Sequence, residues 1–181
     1  MTRRTQVFAA FATALAVAGV SAGDAAAQAT TERPPLVADA RPVAVERIRI
    51  HGAHLEGNLE GNEVERDVLV FLPPSYQQDA QRRYPVVYAL HGYSIGAEQW
   101  SGEIHVPQTI EGAFALGAPE MIVVLPDAKT VHNGSMYSSS MTTGDFERFI
   151  SRDVVAHIDG NYRTIPERRA NVPSQRRPPW I

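Results

Sequence analysis

A candidate serine nucleophile stands in the string Gly92-Tyr93-Ser94-Ile95-Gly96, which follows an apolar segment. The spacing Gly-x-Ser-x-Gly is typical of a serine held on a sharp turn between a strand and a helix. A serine attacks an ester only when a positioned base accepts its proton. In the order Ser…Asp…His, Ser94 could be followed by Asp127 and by either His132 or His157. One hypothesis for the chain is therefore an intact esterase that uses Ser94.

Other residues weigh against this triad. A nucleophile turn needs a helix directly after the serine, and Ser101-Gly102 and Pro107 are expected to delay any helix here. Asp127 follows an apolar run, where aspartate is common as a turn residue. His157 falls beside the packing face of a predicted helix, so a surface or hydrogen-bonded core histidine fits it better than a catalytic base. The residues alone therefore do not favour Ser94 as a nucleophile.

The composition points to no metal, cofactor or polyanionic partner. The formal net charge is −3 and the chain has no cysteine, so no basic surface for nucleic acid or anionic membrane is expected. The histidines show neither HExxH nor paired-ligand spacing; they are His51, His54, His91, His105, His132 and His157.

The N-terminus has the pattern of an export signal. Arg3 and Arg4 precede an uncharged run from Val7 to Val20, and small residues follow at 25–27. The run is too short to span a bilayer comfortably. We predict a cleaved signal peptide over residues 1–27, a linker over 28–44, and a periplasmic or secreted product without a membrane anchor.

The remaining pattern predicts alternating strands and helices. Strands are expected over 47–50 and 66–72, joined by a Gly/Asn-rich loop. The apolar runs Tyr84–Leu90 and Met121–Leu125 suit central parallel strands, with a helix opening at Pro107 between them. This arrangement indicates a right-handed βαβ crossover in an α/β fold.

A second helix is predicted from Asp145 to Ile158, because apolar residues recur there at helical spacing. The segment Thr142–Asp145 could supply its N-terminal cap. Gly160 is expected to take a left-handed conformation at its C-terminal end.

Four blocks, in order and spacing, resemble the putative-esterase family of α/β-hydrolases. They are 70–76 (VFLPPSY), 84–93 (YPVVYALHGY), 144–147 (GDFE) and 158–168 (IDGNYRTIPER). This family includes feruloyl and acetyl-xylan esterases, esterase D (S-formylglutathione hydrolase) and the antigen 85 mycolyltransferases. The resemblance covers about residues 45–170 and implies the N-terminal strands of a mostly parallel sheet with flanking helices, that is, part of an α/β-hydrolase fold.

The resemblance also implies a site. His91, Gly92 and Tyr93 match the family's oxyanion loop, in which the backbone N–H at Tyr93 would be one donor. Taken without the family, His91-Gly92 is only a strand-to-loop turn. The stretch around Tyr137 resembles the rim of the active site, and Trp100 is a second candidate for the rim. A solvated loop explains the Tyr137 stretch nearly as well.

The family places a Gly-His-Ser-Met-Gly-Gly type nucleophile turn about a dozen residues after 162–166. Here residues 171–181 read NVPSQRRPPWI instead, with prolines where a buried strand is expected. We hypothesise that this tail reflects a frameshift. On this reading the chain alone has absent or trivial activity.

Three hypotheses remain open at this stage. The chain is a secreted serine carboxylic-ester hydrolase interrupted before its nucleophile, acting by family resemblance on a small-molecule or polysaccharide ester. It is a non-catalytic carbohydrate- or partner-binding remnant that uses Tyr93, Trp100 and Tyr137 as apolar platforms. Or it is an active esterase built on Ser94.

Overall fold

A computed structural model describes residues 31–165 of the chain. The predicted signal peptide at 1–27 and the predicted non-family tail at 171–181 lie outside the described residues. Residues 31–43 contain no helix or strand. No helix in the described range is long and apolar enough to cross a membrane.

The centre of the fold is a mixed four-stranded sheet in the order β1-β2-β4-β3. Its strands are β1 Ala44–His51, β2 Glu65–Leu72, β3 Val86–Tyr88 and β4 Ile122–Pro126. The pairs β1/β2 and β2/β4 are antiparallel, and β3/β4 is parallel. The parallel pair is the one predicted from the two apolar runs, and the antiparallel hairpin β1/β2 precedes it.

Apolar side chains of β2 and β4 point alternately to the two faces of the sheet, which explains why both strands read as continuous apolar runs. Val68, Val70 and Val124 belong to a buried cluster on one face. Leu69 and Leu125 belong to a second cluster on the other face. A fully buried side chain of this kind contributes about 1.5–3 kcal/mol. The core therefore consists of two layers separated by the sheet.

Helices cover both faces. Helices α1 (Ala97–Glu103) and α2 (Val106–Ala115) lie against the second cluster. Pro107 lies in the first turn of α2, as predicted. The formation of α1 corrects our expectation that Ser101-Gly102 and Pro107 would delay any helix after Ser94.

A longer helical stretch covers the first cluster. It consists of α3 (Phe146–Arg148), a π-helical segment (Phe149–Val154) and α4 (Val155–Asn161). Asp145 caps its start by accepting a hydrogen bond from the Arg148 N–H at 3.0 Å, which agrees with the predicted cap. The prediction for Gly160 is wrong, because Gly160 lies inside α4 and the stretch continues to Asn161.

The π-helical segment fastens this helical stretch to the loop after β1. Asp153 accepts two hydrogen bonds from His54, one from its backbone N–H at 3.1 Å and one from Nδ1 at 2.7 Å. His54 lies in a single 3-10 turn, Ala53–Leu55. A short hairpin of β5 (Ser139–Ser140) and β6 (Gly144–Asp145) precedes α3.

Strand β3 lies at one end of the described sheet, where a single parallel bridge joins Tyr84 to Thr164. Val87 and Leu90 are 44% and 42% exposed. Because an apolar edge pairs readily with other chains, we expect a chain lacking residues 1–27 to self-associate.

Light scattering checks this expectation, since Val87→Lys should raise the monomeric fraction. The matched control is Leu116→Lys, which changes an exposed residue just beyond α2 and should have no such effect. A monodisperse monomer of the unaltered protein would contradict the expectation.

His51 ends β1 between two carboxylates. Its Nε2 lies 2.8 Å from a Glu56 oxygen and its Nδ1 lies 2.7 Å from a Glu65 oxygen. Hydrogen bonds to Glu56, and then to Glu65, raise the pKa of His51 above its ordinary value of 6.5. A raised folded-state pKa stabilises the fold below the unfolded pKa, and this contribution is lost as pH rises through the folded pKa.

We therefore expect the melting temperature of the unaltered protein, relative to that of His51→Gln, to fall as pH rises above about 6.5. Melting temperatures of both proteins, measured from pH 5 to 9, test the difference. If the two plots of melting temperature against pH ran parallel, His51 would not contribute to the pH dependence of stability.

Candidate functional site

The loop of residues 91–96 leaves β3 at the carboxyl end of the parallel pair, an edge where α/β folds commonly bind ligands. Its first residue, His91, is buried with 5% of its surface exposed. The His91 Nδ1 is 2.9 Å from the Gly92 carbonyl oxygen, and its Nε2 accepts a hydrogen bond from the Ala128 N–H at 2.8 Å. The histidine ring therefore joins its own loop to the loop that follows β4.

Three further hydrogen bonds hold the same two loops together. The Tyr137 hydroxyl donates to the His91 carbonyl at 2.9 Å. The Ser94 N–H donates to the Asn133 carbonyl at 3.0 Å. The Tyr93 hydroxyl donates to the His132 carbonyl at 2.9 Å. The loop is thus fixed at three of its residues beyond the strand.

The backbone N–H of Tyr93 differs from these groups, because it has no hydrogen-bond acceptor within residues 31–165. Tyr93 is 59% exposed. A Cβ built at Gly92 would meet only one atom within 4 Å, a methyl of Ile95 at 3.9 Å, so the space beside this peptide is open. A fixed N–H with no partner in the described part of the chain can bind a developing oxyanion.

Asp127 anchors the far end of the loop. One carboxylate oxygen accepts the Ala97 N–H at 2.9 Å at the start of α1. The other oxygen lies 2.8 Å from the Arg66 guanidinium and accepts the Lys129 N–H at 2.9 Å. A Cβ on Gly96 would lie 2.6 Å from the Asp127 carboxylate, so the absence of a side chain at 96 permits this approach.

The structure gives Ser94 two features of a nucleophile turn. Its φ is +66°, in the left-handed region, and α1 begins three residues later. Strain of this kind is a reason to consider function. Chemistry, however, also requires a base.

The proposed partners of Ser94 are engaged elsewhere or lie apart from it. Both Asp127 oxygens are occupied as described above. His132 lies in an exposed loop, and His157 lies in α4, on the face of the sheet opposite α1. Within residues 31–165 no histidine is hydrogen-bonded to Ser94, so the triad Ser94, Asp127 and His157 is not assembled there.

The two predicted rim residues have different surroundings. Tyr137 is partly buried, and its ring meets the ring of His91 edge-on with centroids 5.9 Å apart. Burial, and then the charge of Asp127, raise the pKa of Tyr137 to about 12, so its hydroxyl stays a neutral donor. Trp100 packs against the second core cluster. The structure brings Tyr137 to the loop of residues 91–96 but places Trp100 in the helical layer.

The sequence did not indicate the roles of Arg66 and Asp127 in positioning the loop. Both contacts depend on residues more than 25 positions apart in the chain, and no local signal reports them. Among the described residues, no group of three or more His, Cys, Asp or Glu side chains is placed to hold a metal ion.

Comparisons with known proteins identify the family and the fold. A family profile described as "Putative esterase" matches residues 61–172. A ferulic acid esterase structure is similar at 27% identity and a TM-score of 0.59, over 70% of this chain and 46% of that one. A ferulic acid esterase from Anaeromyces mucronatus, solved with ferulic acid, has 20% identity and a TM-score of 0.53, over 75% of this chain and 48% of that one.

An S-formylglutathione hydrolase from Agrobacterium tumefaciens is also similar, at 15% identity and a TM-score of 0.50, over 68% of this chain and 46% of that one. The similarities to the Anaeromyces mucronatus esterase and to the S-formylglutathione hydrolase, at 20% and 15% identity, show the fold alone. The chain spans about half the length of the structures it matches. Because the profile covers more than half of the chain and the mixed sheet carries helices on both faces, the chain belongs to the putative esterase family, with part of an α/β-hydrolase fold.

Proposed function

We propose that this chain supplies the oxyanion-binding part of a carboxylic-ester hydrolase, with the Tyr93 N–H as one donor. The observation that supports the proposal is that hydrogen bonds hold the loop while the N–H groups of Gly92, Tyr93, Ile95 and Gly96 have no acceptor among residues 31–165. The family resemblance selects Tyr93 among them. The Ser94 N–H and the Tyr93 hydroxyl both have acceptors in the loop after β4, whereas the Tyr93 N–H has none among residues 31–165. A donor that is fixed but not already used is what a tetrahedral intermediate requires.

In the proposed reaction a serine hydroxyl adds to the ester carbonyl carbon while a histidine takes its proton. The carbonyl oxygen becomes an oxyanion that binds the Tyr93 N–H. Its collapse expels the alcohol, which receives the proton, and leaves an acyl-enzyme that water hydrolyses. The proposal assigns neither the nucleophile nor the base of this scheme to a residue among 31–165, where all six histidines of the chain lie.

We also propose that the substrate is a phenolic or polysaccharide ester and that the protein is exported. Two observations support this. The ferulic acid esterase is 27% identical to this chain, and the N-terminal residues have the pattern of a secretory signal.

The proposal predicts that the unaltered chain does not use Ser94. Incubation with a fluorophosphonate probe should give no covalent labelling, and release of p-nitrophenol from p-nitrophenyl esters should match that of Ser94→Ala. Labelling that disappears in Ser94→Ala would establish Ser94 as a nucleophile and contradict the prediction. Glycan binding without turnover would favour the carbohydrate-binding alternative.

A hybrid protein gives the positive test. Residues 31–165 are joined to the part of the ferulic acid esterase that this chain does not span. We expect ester hydrolysis in the hybrid that depends on the serine nucleophile of the added part. A folded but inactive hybrid would count against an oxyanion-binding role.

A further inference from the structure

We infer that His91 is the positioning residue that aims the Tyr93 N–H, through the carbonyl group of the Gly92–Tyr93 peptide bond. This inference deepens the proposed function and rests on it for its catalytic meaning. The His91 ring makes no hydrogen bond to the Tyr93 N–H itself. It acts through the peptide between Gly92 and Tyr93.

The argument begins with the geometry of one peptide bond. The Gly92 carbonyl and the Tyr93 N–H belong to the same planar unit, and in a trans peptide they point in opposite directions. The described peptide bonds are all trans. Since the His91 Nδ1 lies 2.9 Å from the Gly92 oxygen, fixing that oxygen also fixes the direction of the Tyr93 N–H. The histidine therefore sets the orientation of a donor that has no acceptor among residues 31–165.

The contact of the second ring nitrogen, Nε2, determines which tautomer of His91 is present. The His91 Nε2 is 2.8 Å from the Ala128 backbone nitrogen, which can only donate. The Nε2 must therefore carry a lone pair, and the proton of the neutral ring must be on Nδ1. Nδ1–H then donates to the Gly92 carbonyl. The contact to Ala128 therefore selects the tautomer in which Nδ1–H can hold the Gly92–Tyr93 peptide.

The ring itself is firmly held. His91 is 5% exposed, the Tyr137 ring packs edge-on against it, and the Tyr137 hydroxyl fixes its carbonyl. Ala128 is 1% exposed and directly follows the anchored Asp127. A donor oriented by buried groups needs little reorganisation when charge develops on the substrate, and such preorganisation is the source of oxyanion stabilisation.

Two substitutions separate the two contacts. In His91→Asn the amide nitrogen can take the place of Nδ1 and donate to the Gly92 carbonyl, while the acceptor for Ala128 is lost. In His91→Gln the amide oxygen can take the place of Nε2 and accept from Ala128, while the donor to Gly92 is lost. A purely structural role for His91 predicts similar behaviour of the Tyr93 amide in both variants.

The test is NMR spectroscopy of the full chain. In the unaltered protein, histidine ¹⁵N shifts should show a neutral His91 with the proton on Nδ1. Backbone relaxation should give the Tyr93 amide an order parameter of about 0.85 in the unaltered protein and in His91→Asn, falling below about 0.6 in His91→Gln. The Ser94 amide, held by Asn133, should stay rigid in all three. The Ala128 amide should exchange faster only in His91→Asn.

A proton on Nε2, or equal Tyr93 order parameters in both variants, would overturn the inference. The tautomer measurement needs no variant, so a proton on Nε2 would overturn the inference even if both substitutions unfold the protein. None of these readouts depends on ester hydrolysis. A rigidly positioned Tyr93 N–H together with an inactive hybrid would therefore refute the proposed function and leave the positioning role standing.

Discussion

Replacing Asp127 with alanine should lower the free energy of unfolding by about 3–5 kcal/mol, the usual cost of removing one partner of a buried ion pair. The side chains of Arg66 and Asp127 are only 10% and 21% exposed, so the guanidinium would lose its partner in a poorly solvated position. The change also removes the acceptor of the Ala97 N–H at the start of α1. Urea unfolding, followed by circular dichroism, measures the loss.

Asp127→Asn is the matched control for this experiment. It keeps an oxygen in nearly the same place but removes the charge, so we expect a smaller loss than in Asp127→Ala. If Asp127→Ala changed the free energy of unfolding by less than about 0.5 kcal/mol, as ordinary surface substitutions do, the anchoring role would be wrong.

Replacing Tyr93 with proline should lower kcat of the hybrid esterase by about 100- to 1000-fold, the effect expected on losing one oxyanion donor. Proline has no backbone N–H, and the Tyr93 N–H makes no hydrogen bond within residues 31–165. The substitution therefore removes the proposed donor without breaking a described hydrogen bond of the backbone.

Tyr93→Ala serves as the control, because it removes the ring and the hydroxyl contact to His132 but keeps the amide. We expect it to change KM more than kcat. Equal losses of kcat in the two variants would mean that the side chain, and not the backbone N–H, acts in the reaction.

The elements recognised from sequence are those specified by local apolar patterns. The continuous apolar run of β4 and the helical spacing of Phe146, Phe149, Val154 and Ile158 each reflect burial against the sheet. Helix α1 was missed because its first N–H is satisfied by Asp127, 30 residues further along the chain. Gly160 was misassigned because the helix continues past it to Asn161.

The candidate site could be predicted only in part. The resemblance of His91-Gly92-Tyr93 to the family's oxyanion loop directed attention to this segment, and its role there stays a prediction. The hydrogen bonds that hold this segment involve Ala128, Asn133 and Tyr137, which approach it only when β3 and β4 pair. Periodicity and residue type carry no information about such pairings.

The contact between Asp153 and His54 joins residues 99 positions apart. It ties the turn after the first strand to the middle of the last helical stretch, on the side of the sheet that both cover. Neither segment can open alone without breaking two hydrogen bonds to one carboxylate. The beginning and the end of the described fold are therefore expected to form and to come apart as one cooperative unit, and bringing them together carries the entropic cost of closing a long chain loop.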